Sequence, residues 1–233
     1  MSIKYNTAVA MSTLAKFYAK GHITLVADDG GPRTDGKVIY LPSLPMEVTE
    51  EELDDIRCYL DHEAGHIVAK SFAGNAMQRM DSRWGNQGCM ILNALEDARI
   101  ENHMDKEFKG VNFSGMHEKF KSQPLETFTQ QLVHVLYMNS RFGWGHHPDC
   151  VAVEDTLAPL KNSIMKVHGY ASVSSVKTLA EKVAALLQST PPPPVESEEG
   201  EEEEGKDEGE IKGQGEGEGE GQGEGEGEGE GEG

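Results

Sequence analysis

The chain has 233 residues and a formal net charge of −20, but residues 195–233 alone hold 18 acidic and two basic side chains, so −16 of that charge sits there. The other 194 residues, with 19 basic and 23 acidic side chains, are long enough for one domain with a real core and lack the basic surface that nucleic-acid binding needs. Three cysteines, Cys58, Cys89 and Cys150, are odd in number and have no C-x-x-C spacing, which excludes a disulfide framework and a thiolate zinc site and suits a reducing cytosol.

The N-terminal segment has no uninterrupted apolar run and no cleavage site, so no signal peptide is expected. No window approaches the length of a membrane-spanning helix, and the chain reads as soluble and cytoplasmic. Residues 7–20 space Val9, Met11, Leu14, Phe17 and Tyr18 helically, with Gly21 as the C-cap. Two short strands follow, at residues 22–26 and 38–41, around a Gly- and Asp-rich loop and closed by Pro42 and Pro45; a hairpin or small sheet edge is expected. Thr49 with Glu52 three residues on forms a capping-box pattern, and Leu53, Ile56, Leu60, Ala64, Ile67 and Val68 carry the helix onward. A polar, Gly-containing connection is expected over residues 74–88, then helices at 90–104, 124–142, 155–168 and 174–188. Pro191 to Pro194 form a hinge that ends the domain (1–190), and the acidic Gly/Glu tail within 191–233 cannot bury apolar surface, so disorder is expected there. Alternating Gly and Glu offers oxygens without a preorganised loop, enough only for loose attraction of cations.

The chemistry-bearing segment is His62-Glu63-Ala64-Gly65-His66. Two histidines four apart on a helix leave from one face, so both imidazoles can reach one metal ion. Glu63 sits about 100° round the helix, where it can take a proton from a water held by zinc, whose pKa falls to about 7. Ala64 and Gly65 are small and leave room for another backbone or a substrate.

A zinc site of this type takes a third protein ligand and leaves one position open. The candidate segment is Asn93-Ala94-Leu95-Glu96-Asp97-Ala98-Arg99-Ile100-Glu101, whose buried face is marked by Ile91, Ala94, Leu95 and Ala98. Asp97 and Glu101, four apart, lie at one edge of that face and Glu96 points nearly opposite. Helical geometry therefore favours Asp97 as the ligand, with Glu96 as second choice and Glu101 standing behind an imidazole to orient it. The bland alternative is a solvated stripe of charge made by Glu96, Asp97, Arg99 and Glu101. His103, His117, His134 and His168 are scattered singly and read as ordinary surface or core residues; His146-His147 sits in a loop that is solvated or lines a cleft.

DHEAGHI together with NALEDARIE resembles the gluzincin-like metallopeptidase domains of phage and bacterial proteins related to the CobT subunit of cobalt chelatase, over residues 38–104. The resemblance implies an α+β, mainly helical, zincin-like domain with a small β-hairpin or sheet. It implies His62 and His66 as zinc ligands, Glu63 as general base, and an acid four residues beyond the third ligand, a register that Asp97 and Glu101 fit. The chelatase subunit resembles the L-E-x-A-R-x-E part without the H-E-x-x-H, which makes Glu96, Arg99 and Glu101 structural and leaves Asp97 to travel with the metal. The expected activity is zinc-dependent hydrolysis of a protein or peptide substrate in the cytoplasm, the host's if the protein is phage-encoded, with the strand region at 22–41 offering an edge to an extended chain. The alternative is a non-catalytic, CobT-like subunit of a cobalt- or magnesium-chelatase-type assembly, related to cobalamin biosynthesis and working with an AAA+ ATPase. In that group an acidic linker leads into a von Willebrand factor A-type domain, whose D-x-S-x-S motif does not occur in this sequence.

Overall fold

A computed structural model describes residues 3–21, 23–43 and 49–190. His22, Pro45, the proline hinge and the acidic tail lie outside these ranges. In chain order the elements are α1 (Ile3–Tyr18), β1 (Thr24–Asp28), β2 (Arg33–Thr34), β3 (Val38–Pro42), α2 (Glu50–Val68), α3 (Ala76–Glu107), α4 (Ser114–Lys121), α5 (Phe128–Phe142), α6 (Val151–Leu157), α7 (Lys161–Ile164) and α8 (Val173–Ser189). The described residues are thus mainly helical with one small sheet. No described helix is long and apolar enough to cross a membrane.

The sheet differs from a simple hairpin of the two expected strands. Its order is β1-β3-β2: β1 pairs with β3 in parallel, and the two-residue β2 pairs with β3 antiparallel through a tight turn. Gly36 makes that turn at φ +93°, a region that an L side chain rarely enters, and Asp35 accepts hydrogen bonds from the backbone N–H groups of Lys37 and Val38. Ile39 and Leu41 alternate inward along β3 and are buried.

α2 starts with the expected capping box: Thr49 Oγ1 accepts from the Glu52 N–H, and the Glu52 carboxylate accepts from the Thr49 N–H. α1 ends differently from expectation. Lys20, at φ 54°, occupies the left-handed position, and the Gly21 N–H reaches back to the Lys16 carbonyl, so the Schellman turn is centred one residue before the glycine.

The 74–88 stretch is a correction. It is helical from Ala76 onward, and Gly85 (φ 60°, ψ −156°) kinks α3 there into two helical segments, the second running on to Glu107. Ala76, Met80 and Trp84, spaced four apart, face the core, a helical signal hidden among polar residues. The stretch expected as one helix over 155–168 is instead divided, α6 and α7 being separated by a 3-10 turn at Ala158–Leu160. Pro159 lies in that turn; it has no N–H to donate, and its ring collides with the carbonyl four residues back. α4 was not anticipated at all.

Two apolar clusters hold the chain together. One joins α3, α5, α6 and α8 through Leu92, Leu95, Leu136, Leu157 and Val183; the other joins α1, the sheet and α2 through Ala15, Ile39, Ile56 and Leu60. Each leucine, isoleucine or valine among them, fully withdrawn from water, contributes about 1.5–3 kcal/mol. α3 spans both, since its Met104 belongs to the second cluster. Where α2 crosses α3, a Cβ on Gly65 would stand 3.0 Å from Ile100 Cδ1 and 3.1 Å from Met104 Cγ. The small residue inside HEAGH therefore admits the neighbouring helix.

Candidate metal centre

That close crossing brings the two candidate segments face to face. His62 Nε2 lies 3.6 Å and His66 Nε2 3.3 Å from the same atom, Asp97 Oδ1. The imidazoles meet edge to face, with centroids 5.0 Å apart. One ligand atom from each of His62, His66 and Asp97 falls within 4.8 Å of the others, so the group could hold a metal ion. Asp97 Oδ1 is buried and makes no hydrogen bond, whereas Oδ2 accepts from the Asn93 side-chain amide at 3.1 Å. An orphaned carboxylate oxygen facing two imidazole nitrogens fits a cation. Bonds of about 2.1 Å in a tetrahedron put ligand atoms about 3.4 Å apart, close to the 3.6 and 3.3 Å from Asp97 Oδ1 to the two imidazole nitrogens.

The electrostatics follow from this crowding. Burial pulls the His62 imidazolium down, but the carboxylates of Asp97 and Glu101 outweigh it and raise its pKa well above the usual value. Burial pushes Asp97 up, and the two imidazoles overcome that and hold it low. Glu63, buried beside His62 and His66 in the wall of a polar cavity, is raised by burial, with the two histidines opposing.

Glu101 stands behind His62. It is fully buried, with Oε1 3.3 Å from His62 Nδ1. The Tyr137 hydroxyl donates to both of its oxygens, His117 Nε2 lies 2.8 Å from Oε2, and Arg141 Nε donates to Oε2 at 3.0 Å. Burial raises the Glu101 pKa, yet the His117 and His62 contacts overcome it and hold it well below the carboxylate range. The same carboxylate, added to burial, pushes the Tyr137 phenol up.

His66 is backed by a different device. After α2 the chain turns through Lys70 in the left-handed region (φ 58°), and the Ser71 N–H bonds the His66 carbonyl at 2.9 Å. This turn sets Ser71 Oγ 3.1 Å from His66 Nδ1. The Ser71 hydroxyl donates to Glu96 Oε1 at 2.5 Å, so it accepts from His66 Nδ1–H, which leaves the Nε2 lone pair facing Asp97. Arg99 clasps Glu96 through Nε and Nη2 and also donates to the Ala69 carbonyl at the end of α2.

Glu96 is therefore not among the converging ligands; it is 3% exposed and engaged by Arg99 and Ser71. The alternative of a solvated stripe also fails: Glu96, Arg99 and Glu101 are buried, because α3 is covered by α2 on one side and by α5 and α8 on the others. Ser71, His117, Tyr137 and Arg141 escaped sequence reasoning. Tyr137 and Arg141 share a face of α5 by their spacing of four, a usable signal, whereas nothing local marks Ser71 or His117. His146 and His147 lie in the irregular stretch after α5, the His146 side chain 81% exposed, and with His134 and Glu154 they line a separate cavity of about 390 Å³; His168 Nδ1 lies 3.2 Å from the Ser140 carbonyl. Compared with known proteins, the chain matches no family model, no curated protein and no solved structure.

Proposed function

We propose that this chain is a zinc-dependent peptidase with a zincin-like arrangement of helix and sheet. The observation that carries the reading is the unpartnered Asp97 Oδ1 between the two imidazole nitrogens, with the Glu63 carboxylate buried beside them. His62, His66 and Asp97 would hold the metal. When bound, zinc would polarise a substrate carbonyl and bring the pKa of a water to about 7. Glu63 would accept a proton from a water held there and return it to the leaving amine, and burial raises its carboxyl above the ordinary carboxylate value. Glu101 and the Ser71–Glu96 pair hold the imidazoles in orientation, which spares the site reorganisation during the reaction. Arg33 and Thr34 of the edge strand β2 line the same polar cavity as His62, Glu63 and His66, a position from which the strand can pair with an extended peptide.

The test is Glu63→Gln. Purified wild-type protein should carry about one zinc per chain, and the variant should keep the zinc while losing about 10²- to 10⁴-fold in peptide hydrolysis. Hydrolysis unchanged in the variant refutes the mechanism.

One observation favours a second reading, the chelatase-type assembly subunit. Glu96 with Arg99, and Glu101 with Tyr137 and Arg141, are buried networks that serve the packing of α3 whether or not metal is present. Purified protein without metal, bound to an AAA+ ATPase, would establish that reading over the first.

A further inference from the structure

His62 lines two cavities, the polar one that holds Glu63 and an apolar one walled by Met77, Met90 and Phe120. The cavity of about 390 Å³ at the end of α5 shares no lining residue with either. Two buried polar side chains line it, His134 at 7% and Asn139 at 4% exposure. His134 Nδ1 and Asn139 Nδ2 have no hydrogen-bond partner among the described residues, a costly state for buried polar atoms. Asn139 Oδ1 accepts from the Gly145 N–H at 2.9 Å, so the unpaired half of the amide is its donor. Burial lowers the His134 pKa and His147 adds to this against Glu154, so the ring is neutral and offers one N–H. Phe120, stacked at 5.6 Å, and His147, edge to face at 5.4 Å, hold that ring in place.

The rest of the wall decides what these donors are for. Its one carboxylate, Glu154, is already engaged: His146 Nδ1 lies 2.6 Å from Oε2, and the His147 N–H donates to Oε1 at 3.0 Å. Lys121 adds a cation, tied only to the exposed Glu118 by a surface pair of little strength. A metal ion does not fit. His147 Nδ1 accepts from the Asp149 N–H, which puts the ring proton on Nε2, and the three-donor group among the described residues is His62, His66 and Asp97. Met138, Phe142 and Trp144 supply apolar and aromatic surface, and a Cβ on Gly143 or Gly145 would meet nothing within 4 Å, so the backbone there is open to a ligand. We propose that this cavity binds a small aromatic carboxylate of the arylacetate class. Its oxygens accept from Asn139 Nδ2 and His134 and pair with Lys121, while its ring lies against Met138, Phe142 and Trp144. The volume falls within the range of ligand pockets. The proposal does not depend on the peptidase reading, since none of the metal ligands lines this cavity.

The experiment titrates phenylacetate, phenylacetamide and acetate into the full chain by calorimetry. Phenylacetate should occupy one site per chain and bind roughly tenfold or more tighter than the amide, which lacks the charge, or acetate, which lacks the ring. Lys121→Gln should weaken phenylacetate about three- to fivefold and leave phenylacetamide unchanged. Asn139→Leu should remove binding; because Asn139 is buried and its variant can fail to fold, the exposed Lys121 keeps the test decisive. A folded Asp97→Ala protein, altered only at the metal centre, should bind phenylacetate as the wild type does. Absence of phenylacetate binding, equal affinity for acid and amide, or affinity untouched by Lys121→Gln overturns the proposal. Loss of binding in folded Asp97→Ala overturns it too, because the carboxylate would then sit on the metal. A second equivalent of zinc that His134→Phe removes would make the cavity a metal site and has the same consequence.

Discussion

His62 and His66 leave the same helix one turn apart, yet the two are braced in opposite ways. Behind His62 stands a charge, Glu101, held by groups from α4 and α5 that are distant in sequence. Behind His66 stands a neutral hydroxyl, Ser71, delivered by the turn that ends α2 and relayed to Glu96 and Arg99 on α3. The first brace depends on the packing of three helices, and the second on one local turn and one helix. A disturbance of α5 should thus reach His62 and spare His66, while a change in the Lys70–Ser71 turn should do the reverse.

The largest effect is expected where the two sides meet. Asp97→Ala removes the atom that both imidazoles face, and metal content by elemental analysis should fall from about one per chain toward zero. Full zinc content in this variant would remove Asp97 from the site. Next comes Glu101→Ala, which leaves Arg141 and His117 without their buried counter-charge. A loss of about 3–5 kcal/mol in denaturant unfolding is expected, together with about 10- to 100-fold weaker metal binding.

The pH response separates the same groups. In the metal-free protein the His62 pKa is raised, so its stabilisation is fully present below about 6.5 and is lost as pH rises through the higher folded value. Glu101 is depressed, so its stabilisation is present above about 4.3 and is lost as pH falls through the folded value. Melting temperature without metal should be highest between those limits. Zinc, which requires a neutral His62, should add progressively more as pH rises, with release of a proton on binding. A constant zinc-induced shift across that range would contradict the His62 assignment. The smallest effect belongs to Ser71→Ala. It should cost about 1 kcal/mol in stability and about tenfold in metal affinity, clearly less than Glu101→Ala. Equal losses would erase the distinction between the two braces.

How much of this was legible can be traced residue by residue. The capping box at Thr49 and Glu52, the helical run through HEAGH and the two edges of the Asn93–Glu101 segment are local patterns, set by periods of 3.6 residues and by backbone groups that need a partner nearby. They sufficed to choose Asp97 over Glu96, because 100° of rotation separates neighbours on a helix. The same reasoning misjudged residues 74–88, where polar composition hid the spacing of Ala76, Met80 and Trp84, and of its two alternatives for the strands, a hairpin or a small sheet edge, the small sheet is the one formed, with β1 and β3 in parallel.

What the sequence determined by itself is the helix bearing His62, Glu63 and His66, and the edge of α3 bearing Asp97 and Glu101. Tertiary structure alone decided that these faces meet at Gly65, that Glu101 is satisfied by His117, Tyr137 and Arg141, and that one apolar and one polar cavity open on either side of the pair. The physical reason is range. Caps and helical periodicity are settled within a few residues, whereas a buried carboxylate finds its donors wherever packing brings them, 16 to 40 positions away along the chain.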